Sequence, residues 1–185
     1  MRRRVMLVVL AVIIVALGYA LHWYFRFLTR DYPCELNVEN IAMCMQMYAA
    51  DWDDRLPDPD HWVDQLGQEY ARNMAVFKCA ADKSDARCSY GMNRALSGLR
   101  VTEIANPDDL VSVYETAHPG DNPSGGPGDV ADPPRHPRSK YPSPRWYHGN
   151  MYGYVSGKLW PNMEWKLPHQ PTFEPKLVGQ EPLDR

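Results

Sequence analysis

Acidic side chains gather in one short stretch of this 185-residue sequence, directly after an amphipathic segment. Asp51, Asp53 and Asp54 follow the apolar pattern that begins at Cys34, and acidic residues continue to Asp60. Several carboxylate oxygens on one short loop are the ligands that Ca²⁺ prefers. The stretch lacks the spaced glycine and closing glutamate of an EF-hand, so a solvated acidic loop is the competing interpretation. Asp51, Asp53 and Asp54 are therefore candidate calcium ligands, and no other cofactor is indicated.

The four cysteines offer a second kind of chemistry, and their spacing does not match the close pairs of a zinc site. If Cys34 and Cys44 lie on one helix they are about 15 Å apart. A disulfide needs Cα atoms within about 7 Å, so these two cannot pair. Cys79 and Cys88 flank a polar loop and are the candidate disulfide. Four reduced, buried thiols are the alternative.

Histidines and other acids give weaker patterns. His118, His136 and His148 could join nearby aspartates on a metal, but their spacing matches no motif, and isolated surface histidines are the competing interpretation. Glu115 and Asp129 could act as a glycosidase pair, on residue type alone. A Ser-His-Asp order, a nucleophile elbow and a phosphate-binding glycine loop are all missing. The sequence therefore predicts a protein that is not an enzyme.

Aromatic residues concentrate near the C-terminus, where Trp146, Tyr152, Tyr154 and Trp160 could form a carbohydrate-binding or peptide-binding face. The alternative is that these rings fill the core and pair across the strands of a hairpin. Strand alternation puts Tyr152 and Tyr154 on one face under either interpretation.

An amphipathic helix over residues 34–51 must position these groups. Its apolar residues recur at steps of four, three, four and three, which places them on one helical face. Pro33 suits the first turn, and Pro57 prevents continuation of the helix. The residues on the apolar face are Cys34, Val38, Ile41, Met45 and Tyr48.

Short elements follow the helix. Spacing by one helical turn predicts a short helix over residues 61–70, and residues 89–93 are expected to form a strand or the start of a turn. β-forming residues predict a strand at 110–114. Residues 117–144 are too rich in glycine and proline for a strand, and we expect an irregular loop there. Residues 146–160 resemble a hairpin with its turn at Ser156-Gly157.

The N-terminus has the composition of a membrane anchor. Three arginines precede an uncharged apolar run from Val5 to Leu21, and aromatic residues follow it, as at a membrane interface. A signal peptide cleaved after Ala20 is the competing interpretation. The predicted division is a cytoplasmic basic stub at 1–4, a transmembrane anchor at 5–28, an exported domain at 29–160 and a Pro-rich tail at 161–185.

Charge is distributed unevenly around a formal net charge of −3. Residues 1–30 hold five of the 20 basic residues and no acid, so the remainder carries 15 basic and 23 acidic side chains. A nucleic-acid-binding domain needs a basic surface. Nucleic acid is therefore excluded as a partner. The N-terminal anchor makes a lipid bilayer the expected partner.

Two stretches together resemble a known family. The first holds Cys34-x-x-Asn37, Tyr48-Ala49-x-Asp51, Phe77-x-Cys79 and Ser89-Tyr90-Gly91-Met92-Asn93, and the second runs from Arg145 to Trp160. They resemble exported bacterial pilin-like proteins, which have a prepilin-type N-terminal helix and a C-terminal histidine, nine intervening residues and Asp-Gly. The resemblance extends to the pseudopilins of type II secretion. It implies an α+β fold: a transmembrane helix, then an amphipathic helix packed on a small antiparallel sheet with long Pro/Gly-rich loops.

The sequence departs from that family at three points. Trp146 stands at the histidine position, Ser156-Gly157 replaces Asp-Gly, and the apolar run lacks the Gly-Phe junction and glutamate of prepilins. A fixed single-pass anchor in the bacterial inner membrane, with a cytoplasmic N-terminus, fits these residues. We therefore expect a structural or accessory component of an export or surface apparatus, in contact with other pilin-like or secretion proteins. An exported module that binds carbohydrate or peptide through its aromatic hairpin is the alternative.

Overall fold

A computed structural model describes residues 2–26, 32–136, 146–147, 150–157 and 171–179 of the chain. Helix α1, Arg2–Arg26, opens the fold. Its span Arg2–Phe25 has a mean hydropathy of 2.6 with none of it buried, and it is the one helix in the described ranges that is long and apolar enough to cross a membrane. Both a single-pass anchor and a signal sequence have this character.

Helix α2, Tyr32–Asp51, confirms the amphipathic helix that the sequence predicts. All five residues of the predicted apolar face are buried in the main core, and Ala42 and Ala49 extend that face. Leu36, Met43 and Met47 lie on the opposite side of α2 and are exposed. The register of the helix is therefore set by burial of one face.

A five-stranded sheet forms the other half of the domain, in the order β3-β1-β2-β5-β4. All neighbouring strands run antiparallel except β3, which is parallel to β1. The sheet is therefore mixed, whereas the sequence predicts a purely antiparallel one. Its strands are β1, Cys88–Asn93; β2, Val111–Gly120; β3, Ser124–Gly125; β4, Trp146–Tyr147; and β5, Asn150–Tyr154.

Small residues let α2 lie close against β5. A Cβ atom added at Gly153 would come within 3.1 Å of both the Ala42 Cβ atom and the Val38 carbonyl oxygen. It would also come within 2.7 Å of a methyl group of Val113 on the neighbouring strand. The helix-to-sheet distance at this crossing therefore depends on glycine facing alanine.

Both faces of the sheet are covered, which explains why the first six residues of β2 are all buried. One face packs against α2 in the main core, and the other carries a smaller cluster of Val111, Tyr114, Tyr152 and Tyr154. Phe173 packs edge-on against Tyr114, with ring centroids 5.2 Å apart.

Part of the predicted tail belongs to the folded domain. Val111 donates its backbone N–H to the Thr172 carbonyl oxygen at 2.8 Å, and Thr172 donates to the Asp109 carbonyl oxygen at 3.1 Å. Val178 donates in the same way to Glu103 at 2.8 Å. Residues 171–179 therefore lie along the domain and bond to it through their backbone. The proline-rich composition did not predict these hydrogen bonds.

Three local predictions differ from the structure. The short helix is shorter, with α3 limited to Trp62–Gly67. Strand β2 continues to Gly120 inside the predicted irregular loop, because its end still pairs with Cys88 on β1. Strand β4 at Trp146–Tyr147, which the sequence does not predict, pairs with β5. At the predicted turn, the Gly157 N–H donates to the Tyr154 carbonyl oxygen at 3.1 Å, and Gly157 has a φ angle of 62°. The predicted return strand at 158–160 lies outside the described residues.

Candidate functional site

Four side chains from separate parts of the chain meet inside the domain, and we call them the buried cluster: Cys34, Cys79, Glu115 and His136. The Sγ atoms of Cys34 and Cys79 are 2.9 Å apart. Cys79 Sγ lies 3.2 Å from Glu115 Oε1 and 3.4 Å from His136 Nε2. His136 Nε2 lies 2.9 Å from the same carboxylate oxygen. Solvent exposure is 0% for the first three residues and 2% for His136.

The first turn of α2 and the loop before β1 hold the two cysteines together. The Asn37 side-chain amide donates to the Lys78 carbonyl oxygen at 3.0 Å. In the opposite direction, the Ala80 backbone N–H donates to Cys34 Sγ at 3.1 Å. These two contacts flank Cys79 on either side in sequence, so they fix the backbone that presents its thiol.

Glu115 lies on β2 and links the cluster to the sheet. Its Oε2 atom accepts the backbone N–H of Met151 on β5 at 3.1 Å, while Oε1 faces Cys79 and His136. The Glu115 carbonyl oxygen accepts the Ala131 N–H at 2.8 Å. The buried carboxylate of Glu115 needs partners such as the Met151 N–H and His136, because removing a carboxylate from water is costly without them.

Arg135 places the neighbouring histidine. Its guanidinium donates to the carbonyl oxygens of Ser89 on β1 and Thr116 on β2, each at 2.6 Å. These bonds join β1 and β2 to the segment that carries His136. By fixing the backbone at residue 135, Arg135 helps to keep the His136 ring in contact with Glu115.

Asp82 organises the loop that follows Cys79. Ser89 Oγ donates to Asp82 at 2.6 Å and accepts the Cys79 backbone N–H at 3.1 Å. Burial alone would raise the pKa of Asp82, but hydrogen bonds from Ser89, Ser84 and Lys78 hold that pKa well below its usual range. The carboxylate is therefore ionised, and it stabilises the loop only in that form.

The two thiols of the cluster differ in acidity. The hydrogen bond from Cys79 outweighs desolvation and, with His136, lowers the pKa of Cys34 to about 5. Sharing that proton with Cys34, together with burial, raises the pKa of Cys79 well above its ordinary value. Of the two thiols, Cys34 is therefore the one that ionises more readily.

This arrangement suits two kinds of chemistry. Ligand atoms of Cys34, Cys79 and His136 all lie within 4.8 Å of one another, and thiolate and imidazole are the ligands that zinc prefers. Two adjacent sulfurs can also join as a disulfide. Neither use involves a substrate from solution, because solvent does not reach the cluster.

The predicted calcium ligands do not act together. Tyr70 donates its hydroxyl to Asp51, Arg100 forms an ion pair with Asp53, and Asp54 accepts two hydrogen bonds from Thr102. Each of the three carboxylates therefore serves a different neighbour. The structure thus favours the acidic-loop interpretation over a calcium site.

The predicted Cys79–Cys88 bridge is not formed. All four cysteines are free, Cys79 faces Cys34, and Cys88 donates its thiol to the Tyr90 carbonyl oxygen at 3.2 Å. Burial raises the pKa of the Cys88 thiol to about 12. The pairing fails because Cys88 is the first residue of β1, where its thiol contacts the Tyr90 backbone and not Cys79.

The predicted aromatic face is mostly internal where the structure describes it. Tyr152 and Tyr154 share one side of β5, as strand alternation predicts, but their exposures are only 5% and 8%. Trp146 pairs with Met151 through its backbone. Trp160 and the Trp146 side chain lie outside what the structure describes. The two tyrosines therefore belong to the core and not to a binding surface.

The structure also separates the remaining candidates. His118 is exposed, with Nε2 3.8 Å from Asp129, whereas His136 is buried. Glu115 is partnered by His136 and not by Asp129. Sequence reasoning missed the cluster because its four members are far apart in the chain. One signal was available: Glu115 is an acid placed directly after the most strand-like apolar run.

The geometry defines the class: an α+β domain with an apolar N-terminal helix and a sealed cysteine–histidine–glutamate cluster. No family model, curated protein or solved structure matches the chain.

Proposed function

We propose that this protein is a membrane-anchored, exported, non-enzymatic component of a bacterial export or surface apparatus, with a pilin-like or pseudopilin-like role. The observation that carries the proposal is the architecture of the N-terminal half. A 24-residue apolar span, none of it buried, precedes an amphipathic helix that packs on a sheet. An apolar helix of this length is stable in water only if something covers it, and a bilayer does so.

The location of the chemistry-bearing residues supports a structural role. A catalytic group must touch its substrate, yet the buried cluster is sealed from solvent. Its hydrogen bonds join α2, the loop before β1, β2 and β5. We therefore assign this cluster to holding the domain together.

A groove beside α2 is the surface we assign to partner proteins. It has a volume of about 680 Å³ and lies between α2 and the segment of residues 70–80. Met43 and Met47 line it and are 43% and 52% exposed. Methionine side chains adapt readily to a partner surface. Exposed apolar residues next to a groove are typical of an interaction site.

The anchor is tested by the N-terminus of the mature protein. The full chain with a C-terminal tag is produced in a Gram-negative host, and its membrane and soluble fractions are analysed by intact mass. We expect the chain in the membrane fraction with residues 1–20 still attached. A soluble protein that begins after Ala20 would show a cleaved signal sequence and overturn the anchor.

The partner role is tested by co-purification from detergent-solubilised membranes of the native host. Met47→Glu places a charge in the groove, and we expect it to remove the proteins that co-purify with the wild-type chain. Val178→Glu is the matched control, because Val178 is 65% exposed and lies far along the chain, in the tail segment. Equal recovery of partners by both variants would contradict an interaction through the groove.

A further inference from the structure

We propose that Cys34 and Cys79 form a disulfide that fastens the first turn of α2 to the loop before β1. This inference rests on the exported location in the proposed function, because disulfides persist in oxidising compartments. It replaces the Cys79–Cys88 pairing that the sequence predicts. The contact that carries it is the 2.9 Å approach of the two sulfur atoms.

The surroundings of the pair keep the sulfurs in reach of each other. The backbone on both sides of Cys79 is bonded to α2, through Lys78 to Asn37 and through Ala80 to Cys34. The α2 side is equally fixed, because Cys34 and Val38 are buried in the main core. The two thiols are therefore held side by side by the fold and do not meet by chance.

The separation favours a covalent pair over two ligands of one metal. Two thiolates on a tetrahedral zinc ion, each about 2.3 Å from the metal, lie about 3.8 Å from each other. The observed 2.9 Å is well inside that spacing. Zinc held by Cys34, Cys79 and His136 is the competing occupant, and the experiment below measures it.

Formation of the bond needs an oxidant, which we assign to a protein disulfide donor of the exported compartment. The donor acts before the domain has folded around the two sulfurs, because both are fully buried in the folded domain. The Cys34 thiolate attacks the donor disulfide, whose S–S bond breaks to give a mixed disulfide and one donor thiolate. Cys79 then loses its proton to solvent. The Cys79 sulfur attacks Cys34 and releases the second donor thiolate. Two cysteine thiols lose two electrons and two protons, and the donor becomes a dithiol.

Peptide mapping tests the pairing. Full-length protein from membranes is quenched in acid, alkylated under denaturing conditions and digested with trypsin. Cys34 and Cys44 share the peptide 31–55, whereas Cys79 and Cys88 lie on separate peptides, 79–83 and 88–94. We expect 31–55 linked to 79–83 by a reducible bond, with 88–94 alkylated. Cys44→Ala should leave the link unchanged, which assigns it to Cys34.

Two results would overturn the pairing directly: a link between 79–83 and 88–94, or one zinc per chain in the purified protein. Alkylation of Cys79 in most molecules from membranes is interpreted together with a second arm. A parallel arm separates this failure from failure of the export assignment. Purified, reduced protein is refolded with oxidised and reduced glutathione. A Cys34–Cys79 link that forms there, beside free thiols in membranes, supports the pairing and contradicts the exported location. Free thiols in both arms overturn the pairing itself.

Discussion

The two ends of α2 contrast sharply. At its C-terminal end, acids that are adjacent in the sequence are directed to separate partners: Asp51 to Tyr70, Asp53 to Arg100 and Asp54 to Thr102. At its N-terminal end, residues 21 to 57 positions apart converge within hydrogen-bonding distance. Clustering of ionisable residues in the sequence thus predicts little about which of these side chains meet in the folded protein.

Water explains the difference. Asp53 is 73% exposed, so solvent satisfies its charge and no second carboxylate or ion is required. Glu115 and His136 have fully buried side chains, so each must find its partners inside the protein. We therefore expect substitutions at the buried cluster to cost far more stability than substitutions in the acidic loop.

The largest effect should come from the cysteine pair. Cys79→Ala removes the proposed disulfide, which closes a loop of about 45 residues, and we expect a loss of about 4 kcal/mol in the free energy of unfolding. Denaturant titration of the oxidised protein measures it. Cys44→Ala, at a buried cysteine of the same helix, should cost about 1 kcal/mol.

Reductant provides a second control for that prediction. It should lower the stability of the wild-type protein and of Cys44→Ala, and leave Cys79→Ala almost unchanged. Equal responses of all three proteins to reductant would contradict a contribution from a Cys34–Cys79 bond.

The next largest effect should come from Glu115. Glu115→Ala leaves His136 and the Met151 N–H buried without their shared acceptor, and we expect a loss of about 3 kcal/mol. Glu69→Ala is the matched control at an exposed glutamate and should change stability by less than about 0.5 kcal/mol. Similar values for the two variants would show that the cluster does not stabilise the domain.

Sequence patterns predicted local structure better than long-range contacts. Helix α2 and the strand at Val111–Tyr114 follow from periodicity and β-propensity, which depend on neighbouring residues. The short strand Trp146–Tyr147 was not predicted, because turn-forming residues flank Asn150–Tyr154 on both sides and a local pattern does not show which side pairs with it. The buried cluster depends on how four distant segments pack, and no spacing rule encodes that.

A smaller effect should separate Asp82, beside the cluster, from the exposed acids. Because its pKa is lower in the folded protein than in the unfolded chain, Asp82 stabilises the domain fully above pH 4 and progressively less as pH falls below it. We expect Asp82→Asn to cost about 1 to 2 kcal/mol at pH 7. The difference from wild type should shrink in unfolding curves at pH 3. A constant difference across that range would contradict an ionised role for Asp82.

The smallest effects are expected in the acidic loop. Asp54→Ala removes two hydrogen bonds to Thr102 and should cost about 1 kcal/mol, whereas Asp53→Ala breaks one exposed ion pair and should cost less than about 0.5 kcal/mol. Millimolar calcium should leave the thermal midpoint of all three proteins unchanged, because the carboxylates face different partners. A rise in the wild-type midpoint that both variants abolish would restore the calcium site. It would also show that neighbouring acids can converge on an ion despite their separate partners.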